Sequence, residues 1–138
     1  WPLRYDRLVQ PVLDRRCAGC HHPQASNPQA AAFDLSQVSS YDRLIAWGKP
    51  SLADHVRQCY NEGQSRPGNC EAQQSTLLKM LREGHHGVVL DADDLERLVT
   101  WMDTYAQRQG AFSEDQEQRL LQLRREAAAL MAERPAED

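Results

Sequence analysis

An all-α fold is predicted for this sequence by three observations. Its apolar residues recur at helical spacing, its capping and stopping residues bracket those stretches, and no run shows clean apolar–polar alternation. The chain has 138 residues, enough for one domain with a real core. Hydrophobic residues make up 41% and charged residues 26%, ordinary globular usage that argues against wholesale disorder. With 16 Lys and Arg against 20 Asp and Glu, the net charge is −4, which argues against a basic nucleic-acid binder. No apolar run approaches the ~18 residues of a membrane span. No basic, apolar leader is visible, and Trp1 stands where an initiator Met would, so a processed chain or an excised domain is expected.

The elements follow in order. Tyr5, Leu8, Val9, Val12 and Leu13 make the apolar face of a first helix, with a kink or fresh start expected near Gln10 because of Pro11. Residues 22–33 are polar and hold Pro23, Asn27 and Pro28, which predicts a loop. Phe33-Asp34-Leu35-Ser36 is expected to touch the core as a short extended piece. Ser39 or Ser40 caps a helix through Trp47, stopped by Gly48 and Pro50. Ser51 caps a second short helix, Leu52 to Glu62, ended by Gly63. A helix from about Gln74 to Glu83 has Gly84 placed to end it. Asp91 caps a strong helix from Ala92 to about Gln109, on the spacing of Leu95, Leu98, Val99, Met102 and Ala106, with Gly110 as its stop. The acidic cluster Asp91–Asp94 reads as charge placed for the helix dipole. Ser113 with Gln116 starts a last helix to about Glu133. Its stripe of Leu120, Leu123, Ala127, Leu130 and Met131 is expected to pack back on the core or to dock on a neighbouring domain or subunit. Two regions are expected: residues 1–110 as the main domain and residues 111–138 as the added amphipathic helix.

The cysteines carry the chemistry. Cys17-Ala18-Gly19-Cys20-His21 is C-x-x-C-H, the attachment signature of c-type haem. Two thiols at this spacing project from one side of a single turn and reach the two vinyl groups of one porphyrin. The adjacent His then lies under the iron as an axial ligand. A thioredoxin-like redox pair would need a preceding strand, whereas the stretch before Cys17 reads as helix. A zinc knuckle would need a second pair at ligand spacing, and Cys59 and Cys70 stand too far apart.

A six-coordinate iron needs a second ligand. His85, in the loop after Gly84, is the leading candidate. His86 and then Met80 are the alternatives, and an open or water-ligated position is another. His22 is too close to His21 to reach the opposite face, His55 reads as a solvated helix residue, and Met102 reads as core filler. Arg15, Arg16 and Arg43 are candidate partners for the haem propionates, although a solvated surface role is the plainer reading of each.

An amphipathic helix running straight into C-x-x-C-H resembles the opening of class I cytochromes c. A narrower likeness follows. Val9-Gln10-Pro11-Val12-Leu13-Asp14 through His21, Phe33-Asp34-Leu35-Ser36, Ser40-Tyr41-Asp42-Arg43-Leu44-Ile45, Ser75-Thr76-Leu77-Leu78-Lys79-Met80-Leu81 with Gly84-His85-His86, and Leu95 through Asp103 occur in family order. Together they resemble the C-terminal c-type cytochrome domain of hydrazine synthase alpha subunit-like bacterial proteins, over roughly residues 4–110. The resemblance implies a cytochrome c-like helical domain around one covalent haem, with His21 and His85 as axial ligands. It also implies a periplasmic or otherwise exported setting in a larger protein, and electron exchange with a redox partner or other haem domains. Hydrazine chemistry belongs to other haem sites and subunits, so no such activity is implied for this chain.

The cytochrome c resemblance implies that haem attachment takes place outside the bacterial cytoplasm, in an oxidising space that permits disulfides. Cys59 and Cys70 are then left as an even pair and are expected to form a disulfide, which would contribute about 2–3 kcal/mol in the chain-entropy model. Two free thiols or a metal site are the alternatives. The function expected is electron transfer. The competing expectation is a haem enzyme or small-gas-binding domain with an open distal position, where His85 or His86 would act as acid or base. A haem serving only as a structural staple is the weakest reading.

Overall fold

The computed structural model describes residues 3–63, 71–110 and 113–132. Its regular elements are all helices, as expected; the β-type pairing among the described residues is one isolated bridge between His85 and Val88. Among the described residues, no helix is long and apolar enough to cross a membrane.

Helices α1 (Tyr5–Leu8) and α2 (Gln10–Arg16) are separated only by Val9. Pro11 lies in the first turn of α2, where its missing N–H removes no intrahelical bond, so the fresh start falls where Pro11 permits it. The stretch expected as a plain loop contains a short helix, α3 (Pro28–Ala32). Asn-Pro reads as a breaker, but here Asn27 is the cap and Pro28 opens the first turn. The Asn27 side chain accepts from the N–H groups of Gln29 and Ala30.

Helix α4 (Ser40–Ile45) is shorter than expected, and Trp47 lies beyond its end. Ser39 sits at the cap position without a side-chain capping bond. Helix α5 (Leu52–Glu62) matches the expected bounds, because both its signals are local. The Ser51 hydroxyl accepts from the Asp54 N–H at 3.1 Å, and Gly63 takes the left-handed conformation at φ 65°.

The helix expected from Gln74 is two, α6 (Glu71–Gln74) and α7 (Thr76–Glu83), divided at Ser75. Ser75 is buried and caps α7 by accepting from the Leu78 N–H at 3.1 Å. Helix α8 (Ala92–Asp103) starts at the Asp91 cap but stops well before Gln109. Beyond it Tyr105 and Ala106 both have positive φ, at 69° and 48°. The Ala106 N–H returns to the Trp101 carbonyl at 2.9 Å, a helix-closing bond of the Schellman kind. Ala106 stays buried, so its apolar spacing continued although the helix did not.

The core sits between α1, α2, α7 and α8. Tyr5, Leu8, Val9, Val12 and Leu13 are all buried, with Leu78, Leu98, Trp101 and Met102 opposite them. Tyr5 meets Trp101 edge-on at 5.3 Å and Tyr41 at 5.1 Å. Leu35 is buried, so the segment after Phe33 does touch down on the core.

Helix α9 (Glu114–Ala132) opens with the Ser113 hydroxyl accepting from the Gln116 N–H. Among the described residues it meets the rest of the protein near its start, where buried Glu117 pairs with Arg4. Leu120 and Leu121 are half-buried, but Leu123 is 50% and Leu130 70% exposed. The stripe does not pack back on the core along its length. The ion pair at Glu117 fixes a different face of the helix against the body.

Candidate functional site

Helix α2 ends on Cys17, whose N–H donates to the Leu13 carbonyl at 2.8 Å. The chain then makes one tight turn. The N–H groups of Cys20 and His21 both donate to the Cys17 carbonyl, at 3.0 and 2.9 Å. Cys17, Cys20 and His21 therefore leave a single turn at the end of α2. Cys17 is half-buried and Cys20 exposed, and neither is in a disulfide. Burial pushes the Cys17 thiol up to about 11, and Asp94 and Cys20 add to the rise. A buried thiol with a raised value is a poor nucleophile, so Cys17 is not the attacking thiol of a thioredoxin-like couple. Among the described residues no strand precedes it either.

His21 is held on two sides. Its carbonyl accepts from the Leu35 N–H at 3.0 Å, and its Nδ1–H donates to the Phe33 carbonyl at 3.2 Å. A carbonyl only accepts, so Nδ1 carries a proton, and in the neutral ring the lone pair is on Nε2. A backbone carbonyl behind an imidazole is the arrangement that fixes tautomer and orientation in a ligating His. The Phe33 ring stands edge-on to the imidazole at 5.7 Å.

The strap around Leu35 is tied to α2 by Gln10, which is buried. Its Nε2 donates to the Leu35 carbonyl at 3.2 Å and to Asp14 Oδ1 at 2.7 Å, and its Oε1 accepts from the Ser40 hydroxyl at 2.5 Å. Gln10→Ala would leave the buried Ser40 hydroxyl and the Leu35 carbonyl without these partners. The expected loss is about 2 kcal/mol, since unsatisfied buried groups cost about 1–3 kcal/mol. A fall in the urea midpoint at unchanged slope would show it; an unchanged midpoint would mean that the strap holds without Gln10.

His85 comes from the other end of the fold. Gly84 (φ 99°) ends α7, and the bridge His85–Val88 closes a tight turn with the Val88 N–H donating to the His85 carbonyl at 2.9 Å. The two residues between, His86 and Gly87, both have positive φ, at 49° and 78°, as a two-residue primed turn requires. His85 is thus at the half-buried base of the turn and His86 at its exposed tip. The His85 and His21 rings lie 5.9 Å apart, centre to centre, with planes inclined by 17°. Burial, together with His86 and His21, holds the His85 imidazole below its ordinary range and favours the neutral form that carries a lone pair. His86 touches the edge of the His85 ring at 4.7 Å.

The structure places the other candidates elsewhere. Met102 is fully buried in the core, with its sulfur 3.4 Å from the Ser75 hydroxyl, which donates to the Ala72 carbonyl at 2.8 Å. Met80 is partly buried against the core on α7. His22 is half-buried beside His21. His55 is no solvated surface residue: its Nε2–H donates to the Glu71 carbonyl at 2.8 Å, tying α5 to α6. Cys59 lies 3.9 Å from that same nitrogen. The expected disulfide falls on Cys70, which lies outside the described residues.

Arg15 and Arg16, candidate propionate partners, are engaged instead by Asp94, at 2.6 Å each, and Arg16 also by Asp91. Asp94 was legible in part, since it shares the face of Leu98 and Trp101 at i, i+4 and i+7. Its role is tertiary rather than helix-dipole placement. Arg43 lies with Phe33, Val38 and Trp47 on an open cleft of about 590 Å³, and Phe33 is shared between that cleft and the His21 site.

No group of three or more His, Cys, Asp or Glu side chains placed to hold a bare metal ion occurs among the described residues. Metal–imidazole bonds are about 2 Å, so two imidazoles on opposite sides of one metal have ring centres about 6 Å apart. The His21–His85 pair matches that spacing and offers two ligands only. It suits a metal whose remaining ligands come from a macrocycle. Compared with known proteins, the chain matches no family model, no curated protein and no solved structure.

Proposed function

We propose that the chain is a c-type cytochrome domain that carries one covalent haem and passes electrons. Cys17 and Cys20 would hold the haem through thioethers, and His21 and His85 would ligate its iron. The observation that carries this reading is the near-parallel pair of imidazoles at 5.9 Å, one of them issuing from a C-x-x-C-H turn. When bound, the haem supplies a one-electron iron couple. The protein's part is to hold both imidazoles. The Phe33 carbonyl keeps the His21 proton on Nδ1 and raises the basicity of Nε2. The closed turn at His85–Val88 aims His85 at the same point. Two strong protein ligands leave no position for a substrate, which favours outer-sphere transfer over catalysis at the iron. Two imidazoles also favour a lower potential than a His/Met pair would give.

The same reading places the domain in an oxidising, exported bacterial compartment, exchanging electrons with a redox partner protein or with other haem domains of a larger protein. The likeness to the cytochrome domain of hydrazine synthase alpha subunit-like proteins belongs with this proposal. The test is spectroscopy of the chain produced with haem attachment. We expect a pyridine haemochrome of the two-thioether type, low-spin ferric and ferrous spectra, and no carbon monoxide binding. Failure to attach haem overturns the proposal. High-spin iron that binds carbon monoxide overturns the electron carrier and favours the open-site enzyme or gas binder. A far-red sulfur-to-iron band moves the distal ligand to Met80 or Met102.

A further inference from the structure

We propose that α9 is a self-association element, pairing antiparallel with α9 of a second copy of this chain. The helix has 19 residues and, among the described residues, is held to the body at its first turns, through Glu117 and Arg4. A solitary helix of this length is marginal in water, so an apolar seam left bare on it calls for a partner. Leu120, Leu123, Ala127 and Leu130 fall at i, i+3, i+7 and i+10, the a and d positions of two heptads. At ~100° per residue, this seam points about a third of a turn away from the Glu117–Leu121 face that meets the body. Leu123 and Leu130 are accordingly exposed.

The seam and its flanking charges select the occupant and its direction. In an antiparallel pair Leu120 meets Leu130 of the other copy, and Leu123 meets Ala127, so each layer sets large against large or large against small. A parallel pair would stack Ala127 on Ala127 and leave a gap. The flanking g positions are Arg119 and Glu126. Antiparallel helices bring g against g, which places Arg119 opposite Glu126 twice by symmetry. Parallel helices bring g against e and would set Arg119 against Arg124 twice. Charge and size therefore both favour a second copy in the antiparallel sense.

Sedimentation equilibrium of the full chain over a concentration series tests this. We expect a reversible monomer–dimer equilibrium. Arg119→Glu should weaken the dimer about tenfold, since two exposed ion pairs become two repulsions of up to about 1 kcal/mol each. Glu126→Arg should weaken it similarly, and the double variant R119E/E126R should restore it. Leu123→Gln, at an exposed position, should abolish it while leaving helix content by circular dichroism unchanged. A strictly monomeric chain overturns the proposal. So does a dimer that R119E tightens, because relief of Arg119–Arg124 repulsion is the parallel outcome. A dimer indifferent to L123Q places the contact on another surface and overturns it as well.

Discussion

Replacing His85 by Ala is expected to convert the haem-loaded protein from low spin to high spin and to make it bind carbon monoxide stoichiometrically, where the parent binds none. The neighbouring change, His86→Ala, is expected to leave the spectra as they are. Adjacent histidines differ this sharply because the turn sorts them. His85 sits at the bridged base with its ring facing His21, whereas His86 occupies the positive-φ tip, exposed. To present its ring to the same point, His86 would have to displace His85 and break the Val88 N–H bond to the His85 carbonyl. Optical titration of the two ferrous variants with carbon monoxide checks the assignment. If His86→Ala opens the iron and His85→Ala does not, the ligand is His86 and the turn rearranges on loading. If neither opens it, Met80→Ala and Met102→Ala are the remaining variants to test.

The parts of this fold that were legible in the sequence are those whose causes are local. Helix α5 has its cap and its stop written at Ser51 and Gly63, and both act as their chemistry dictates. The first helix pair was legible because Pro11 fixes where a new helix starts. The end of α8 was not, because Ala106 keeps helical spacing and burial while its backbone has already turned left-handed. The early stop answers to packing, with the Trp101 carbonyl taken by the Ala106 N–H. In the site, C-x-x-C-H is a local signal and was plain. The facing of His21 and His85 is not local, since they stand 64 positions apart in the chain. Gln10 was hidden for the same reason: its partners, Leu35 and Ser40, belong to other segments. The last helix shows the opposite limit. Its amphipathic stripe was readable, yet which surface covers it is decided outside that helix.

Removing the Asp94 carboxylate should have the largest effect on stability. Asp94 is fully buried, and its two oxygens take one guanidinium each from Arg15 and Arg16, the last two residues of α2 before Cys17. It locks the end of α2 to the start of α8 next to the Cys17–His21 turn. Breaking a buried pair by deleting one partner costs about 3–5 kcal/mol when the survivor stays buried. Here the arginine side chains keep 49% and 33% exposure and regain water, so Asp94→Ala should cost less, about 2 kcal/mol at neutral pH. The pH dependence follows from sign. Burial pushes the Asp94 carboxyl up, but the hydrogen bonds and charges of the arginines outweigh it and hold it below the ordinary carboxylate range. A carboxyl lowered in the folded state binds its proton more readily when unfolded. Its stabilising contribution is therefore complete above the unfolded value of about 3.9 and is lost as pH falls through the lower, folded value. The gap between parent and Asp94→Ala should accordingly be widest at neutral pH and narrow steadily in acid, below about pH 4. Urea unfolding of both proteins at neutral pH and in acid measures it. A gap of the same size at both would assign the loss to packing at α2–α8 rather than to the charge. No gap at neutral pH would mean that the two arginines find equal partners without Asp94.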